Sequence, residues 1–214
     1  VDRKTIRQLL LLLLLFSVLL LSGCKSTAQY LGKDEITNYQ GKPLSVLAQV
    51  PENSIKGTPN IDMNSYRLHV DGLVASPQSY TYNQVISKPH FTKLVVLHCV
   101  DGWDATILWE GVKIADLIQP AEVSPKCNTL IFHCADGYTT SLPLAYVRDN
   151  NILLAFNSNG ITLPKHLGYP FIVVAENKLG YKWAEWVTEI ELSDNAQYKG
   201  FWEQQGYSNE ANVN

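Results

Sequence analysis

Cys99, Cys127 and Cys134 carry much of this chain's chemical potential, together with His98 and His133. If residues 128–133 form one strand, Cys127 and Cys134 are about 23 Å apart, far beyond bridging distance. Each is then a free thiol, and a buried free thiol is often only a small apolar side chain. His98-Cys99 and His133-Cys134 are two His-Cys pairs, which raises the question of a zinc or copper site. Strand geometry opposes it. Neighbours on a strand point to opposite faces, so one site takes only one member of each pair, and the usual zinc spacings are absent. Cys99 differs because it closes a hydrophobic run and precedes Asp101-Gly102-Trp103. A thiolate at a strand end can act as nucleophile, redox thiol or soft metal ligand. For a cysteine nucleophile, His90, His133 and His166 are candidate bases, since His98 should face away.

These residues depend on the strands that carry them. Residues 93–100, rich in valine and leucine between Pro89 and Asp101-Gly102, read as a buried strand. Residues 128–134 read as another, with Asp136-Gly137 as a hairpin turn and 139–144 as the returning partner. Residues 66–74 alternate as a half-buried strand does, and further strands are expected at 152–156, 171–175 and 186–192. Short helices are expected near 82–87, 112–118 and 142–148. Short strands thus outnumber helices in irregular order, which predicts an α+β domain of mixed β-sheets.

The N-terminus reads separately. Arg3, Lys4 and Arg7 precede Leu9–Leu21, a nearly pure leucine block. At 1.5 Å per residue it spans about 20 Å, short of a bilayer core and suited to a signal peptide. Leu21-Ser22-Gly23-Cys24 resembles a bacterial lipobox. Three segments are therefore expected: a lipoprotein signal peptide at 1–23, a lipid-anchored polar tether at 24–50, and a folded domain at 51–210. Lipidation of Cys24 would place the protein in the cell envelope, exported and held on a membrane.

Charged residues make up 17% of the chain and the formal net charge is −3, with no basic run. Nucleic acid is therefore not an expected partner.

Seven segments in one order resemble the molybdopterin-binding domain of sulfite oxidases and their bacterial relatives. They are Tyr66-Arg-Leu-His-Val-Asp-Gly, Leu97-His-Cys-Val-Asp-Gly-Trp, Trp109-Glu-Gly-Val, Asp136-Gly-Tyr-Thr-Thr-Ser-Leu-Pro-Leu, Asn159-Gly-Ile-Thr-Leu-Pro, Gly168-Tyr-Pro and Gly180-Tyr-Lys-Trp-Ala-Glu-Trp-Val. The tail from Gly200 is similar to that of the short bacterial members.

The resemblance implies a sulfite oxidase-like α+β domain and a molybdenum-molybdopterin cofactor. It puts the family's metal-ligating cysteine on Cys99 and its active-site tyrosine on Tyr138, whose phenol would donate to an oxo group or substrate oxygen. Pterin contacts map to Lys182 and Trp183 through Glu185, to Cys134, to the stretch around His166 and Leu167, and to Asn53 with Ser54 and Ile55. Lys182 would meet the pterin phosphate. Two positions depart from the family: Ile172 stands where many relatives carry arginine, and Glu185 where many carry lysine. The implied activity is oxygen-atom transfer or other two-electron chemistry on a small substrate. The absence of a basic substrate pocket favours reduction over oxidation of an anion such as sulfite. The implied electron partner is a haem protein, since the chain has no haem motif of its own. A different class is also consistent with the two departures: a cofactor-free relative serving as a binding or structural envelope lipoprotein.

Overall fold

The computed structural model describes residues 35–213. The expected signal peptide and the lipidation at Cys24 lie outside the described residues. Twelve strands and four short α-helices are present among the described residues. A small hairpin, β1 (Asn38–Tyr39) with β2 (Lys42–Pro43), leads in.

One five-stranded sheet runs β10-β9-β6-β5, with β11 also paired to β9. Its members are β5 (His90–His98), β6 (Asp104–Lys113), β9 (Leu153–Ser158), β10 (Ile161–Thr162) and β11 (Ile172–Val174). The second runs β4-β3-β12-β7-β8. It comprises β3 (Leu68–Gly72), β4 (Gln78–Tyr80), β7 (Thr129–Cys134), β8 (Thr139–Pro143) and β12 (Val187–Ser193). Among the described strands all pairings are antiparallel except β12 with β3, so the second sheet is mixed as expected and the first is wholly antiparallel. The helices are α1 (Tyr82–Ile86), α2 (Ile114–Ile118), α3 (Leu144–Asp149) and α4 (Phe201–Gln204). None of the described helices is long and apolar enough to cross a membrane.

Local chemistry explains several elements. Thr81 caps α1: its side chain accepts from the Gln84 amide while the Gln84 side chain accepts from the Thr81 amide, a reciprocal capping box. Asp136-Gly137 turns β7 into β8, and Asn159-Gly160 turns β9 into β10 with both residues at positive φ.

Three expectations change. The run at 93–100 is not a buried strand: β5 is an edge strand, and Leu97 is its one fully buried side chain. Residues 93–96 are only partly buried, on both faces of the strand. The strand that is central lies next to it. β6 buries Ala105, Ile107, Leu108, Trp109 and Val112, and sequence reading took only its last residues, as part of a helix. Finally, residues 35–50, expected within a polar tether, pack on the domain. Leu44, Leu47 and Val50 are buried, Ile36 donates its amide to the Asn159 carbonyl, and Glu35 accepts from the Leu47 amide.

One hydrophobic cluster joins both sheets. Ile107, Trp109, Leu153 and Ala155 from the first meet Leu68, Val70, Leu130, Phe132 and Ile190 from the second. Each large side chain buried here contributes about 1.5–3 kcal/mol. Trp109 also lies 5.6 Å, ring to ring, from Trp183, which ties the core of β6 to the segment before β12.

Candidate functional site

The β5–β6 hairpin places Cys99. His98 and Asp104 are the last paired residues, so 99–103 form the loop. The Cys99 amide donates to the Trp103 carbonyl at 2.9 Å, and the Gly102 amide donates to the Cys99 carbonyl at 3.1 Å. Gly102 has φ of 86°, which a side chain would strain. The tight loop leaves the Cys99 thiol half-buried on the wall of a cavity of about 320 Å³.

Five chain segments build that wall. Glu52, Asn53 and Ser54 enter from before β3, and Val100 and Asp101 follow the cysteine. Asp136 and Tyr138 come from the β7–β8 turn, and Tyr181, Trp183, Glu185 and Trp186 from the segment before β12. Trp202 of α4 and Tyr207 complete it. Asp136 clamps two of these segments together: Oδ1 accepts from the Tyr138 amide at 2.9 Å and Oδ2 from the Ile55 amide at 3.1 Å. Trp186 sits in the left-handed region with φ of 53°. Its indole donates to the Lys165 carbonyl at 2.7 Å, and its amide donates to the Gly168 carbonyl at 3.1 Å. A bulky residue held there costs about 1–3 kcal/mol, strain of the kind that gathers at functional sites.

The charge on the wall is one-sided. Glu52, Asp101, Asp136 and Glu185 line it, and none of the described residues that line it is a lysine, arginine or histidine, although the Lys56 ammonium sits against Gly137 of the same turn. Hydrogen bonds from Ser54 and Thr58 hold Glu52 below the usual carboxylate range. Glu185 behaves oppositely. Burial, then repulsion from Asp136 and Glu52, pushes its carboxyl up to about 8, so it is mostly protonated at neutral pH. Its Oε2 is buried without a hydrogen-bond partner. Burial raises the Cys99 thiol above its ordinary value, while the amides of Asp101 and Val100 at the sulfur oppose the shift.

Of the residues expected at the site, Cys99, Tyr138, Trp183, Glu185, Asn53 and Ser54 line the cavity, while Ile55, Leu167 and Ala184 do not. Three more lie off it. Lys182 is sealed in the interior, 2.5 Å from Glu203 Oε1 and 3.0 Å from Asn209 Oδ1, so its charge is spent away from any phosphate. Cys134 lies buried behind the wall near Asp136 and Glu185, because β7 points it into the core. His166 turns to the Leu47 carbonyl, with Nε2 at 3.1 Å. Tyr138 is on the wall but already engaged: its hydroxyl donates to the Tyr181 carbonyl. Held this way the phenol can accept from a substrate but not donate to it.

Sequence reading missed Asp136, Trp186, Tyr181, Trp202 and Tyr207 as wall residues, and placed Glu185 among the pterin contacts and also as a departure from the family. Asp136 carried a signal as the first residue of an Asp-Gly turn, where a carboxylate caps nearby amides.

A molybdopterin group needs a soft donor, flat walls for a heterocycle, hydrogen-bonding partners for ring nitrogens, and a positive site for its phosphate. Cys99 offers the first and Trp183, Trp186 and Tyr181 the second. The unpartnered carboxyl of Glu185 suits the third, since pterin N–H groups would satisfy it. Among the described residues that line the wall, none is a cation for the fourth. The donor set thus fits the metal and ring ends of the group.

The family described as oxidoreductase molybdopterin binding domain matches residues 55–202. An uncharacterized oxidoreductase, YuiH, of Bacillus subtilis is 33% identical over 147 residues, covering 68% of this chain and 74% of that protein. A putative protein-methionine-sulfoxide reductase subunit, YedZ1, of Azospira oryzae is 30% identical over 148 residues, 69% of this chain and 56% of that protein. This chain thus spans only a little over half the length of the second relative. Among solved structures, the sulfane dehydrogenase SoxCD of Paracoccus pantotrophus superposes with a TM-score of 0.62 over 79% of this chain and 50% of that chain. At 22% identity, that likeness speaks to the fold.

Proposed function

The chain belongs to the oxidoreductase molybdopterin-binding domain family, and on that premise we propose that it is a molybdenum cofactor-dependent oxidoreductase whose Cys99 ligates the metal. The carrying observation is that Cys99 is the one thiol of the three described that lines the cavity; Cys127 and Cys134 are buried off it. When bound, the cofactor supplies a two-electron redox change and carries an oxygen atom to or from the substrate.

The chain's own residues do the rest. Cys99 would hold the metal as its thiolate, and the amides of Asp101 and Val100 at the sulfur favour that anion. Glu185 would hold the ring end of the group with its neutral carboxyl, and Trp183 and Trp186 would keep water from it. Tyr138 lines the wall with its hydroxyl hydrogen committed to the Tyr181 carbonyl, so it shapes the substrate space and donates no hydrogen bond there.

The substrate is small and uncharged. The carboxylates of Glu52, Asp101 and Asp136, beside the neutral carboxyl of Glu185, would repel sulfite, so a neutral sulfoxide reduced to a thioether and water, taking two electrons and two protons, suits the wall better. The electrons come from a haem-protein partner. The protein works in the cell envelope, lipid-anchored at Cys24.

A second reading keeps the fold without the cofactor, as a binding or structural lipoprotein of the envelope. It is favoured by Lys182, whose charge is committed to Glu203, and by the cation-free wall. Molybdenum and pterin analysis of protein purified from its native host separates the two. The enzyme reading expects about one of each per chain, both lost in Cys99→Ser; well-folded protein containing neither rejects it.

A further inference from the structure

The second sheet carries a cluster of ligating side chains on its outer face. Alternation from Val187, which is fully buried, would send Glu189 into the core. A register shift between Val187 and Glu189 prevents this. The extra residue, Thr188, donates its hydroxyl to the His133 carbonyl, and Glu189 turns outward directly opposite His133. Beyond the bulge the alternation resumes, with Ile190 buried and Glu191 outward. The bulge thus brings an imidazole and two carboxylates onto one face of neighbouring strands.

Their geometry is close to that of a metal centre. His133 Nε2 lies 2.9 Å from Glu191 Oε2 and 3.8 Å from Glu189 Oε1. One ligand atom from each of the three falls within 4.8 Å of the others. Ligands about 2.1 Å from a tetrahedral zinc ion are about 3.4 Å apart, a value between the two distances above. The next strand adds to the patch: His69 is in register with Glu189, and Asp71 with Glu191. The patch therefore holds three carboxylates against two imidazoles. Among the described residues, no lysine or arginine forms an ion pair with Glu189 or Glu191. None of these residues lines the Cys99 cavity.

We propose that His133, Glu189 and Glu191 form a binding site for a first-row divalent transition metal, with zinc as its representative. One nitrogen and two oxygens with an open fourth position suit zinc, and the imidazole disfavours magnesium and calcium, which prefer all-oxygen sites. The ion would link β7 to β12, the central strand of this sheet, and stabilise the folded state by mass action.

The test is calorimetric titration of the full chain with zinc chloride, repeated with calcium chloride. The variants are His133→Ala, the near-isosteric pair Glu189→Gln/Glu191→Gln, and Cys99→Ser. The expected result is one zinc per chain. Affinity falls by about 10- to 100-fold or more in His133→Ala and in the paired glutamine variant, and is retained in Cys99→Ser. Calcium binds far more weakly. The proposal is overturned if the wild-type protein takes up no zinc, if the His133 and glutamine variants bind like wild type, or if Cys99→Ser alone abolishes binding. It is equally overturned if calcium matches zinc, because the imidazole is then no ligand. The side chains are partly exposed, so circular dichroism of each variant should match wild type.

Discussion

The ammonium nitrogen of Lys182 lies 2.5 Å from Oε1 of Glu203, and both side chains are sealed from solvent. The same carboxyl oxygen accepts from the Thr140 hydroxyl at 2.8 Å. This network fixes α4, which carries Trp202 to the cavity, against the turn that carries Tyr181 and Trp183. A charge left alone at such depth is costly. Lys182→Met is therefore expected to lose about 3–5 kcal/mol of unfolding free energy. Adding Glu203→Gln should recover a large part, since the buried charge goes with it. Urea unfolding of the two single variants and the double measures the coupling. A loss below about 1 kcal/mol in Lys182→Met would mean that water screens the pair.

Glu185 gives the protein a pH-dependent weakness. Its folded-state carboxyl is raised from 4.5 to about 8, so between those values the folded chain holds a proton that the unfolded chain releases. Stability from this group is complete below about pH 4.5 and is lost as pH rises through about 8. The swing is on the order of 5 kcal/mol. Glu185→Gln removes the titrating group and keeps its shape. In cofactor-free protein, the melting temperature of the variant should exceed that of wild type at pH 8.5 and approach it at pH 5. A constant offset across that range would show that Glu185 does not titrate there.

The turns of this fold could be read from the sequence, whereas the site could be read only at Cys99 and its family-mapped neighbours. Asp136-Gly137 demands a particular backbone conformation, so local chemistry announced that turn. Edge and centre were confused between β5 and β6, because a continuous apolar run reports burial of side chains and not the place of the strand in its sheet. Gly111 and Glu110 disguised β6, and a register shift falls between them. The partner of Lys182 is 21 residues away on another element, and no spacing rule connects the two. The four wall carboxylates come from four separate segments, so their convergence is a product of topology alone.

Cys99 is half-buried, while Cys127 and Cys134 are buried. Iodoacetamide should therefore label Cys99 first among these three, and peptide mapping by mass spectrometry identifies the site. Burial raises its thiol, so labelling should be slow at pH 7 and still climb through the ordinary thiol range. Protein loaded with cofactor should resist labelling there, because the sulfur would be ligated. Equal labelling of all three cysteines in folded protein would contradict the placement of Cys127 and Cys134 in the core.

Gly200 starts α4 where the chain passes close to β8. A Cβ at this position would lie 2.1 Å from the Thr139 carbonyl oxygen and 2.7 Å from the Thr140 Cα, both backbone atoms of a paired strand. Neither can move without breaking the β7–β8 ladder, so the helix must give way instead. Gly200→Ala should cost about 1–3 kcal/mol, in the range of overpacked cores. The displacement should also reach the cavity. Glu203 would draw back from Lys182, and Trp202 and Tyr207 would leave the wall beside Cys99. Gly200→Ala is therefore expected to lower the melting temperature and to speed iodoacetamide labelling of Cys99 in the still-folded protein. A lower melting temperature with unchanged labelling would show that α4 shifts without opening the cavity.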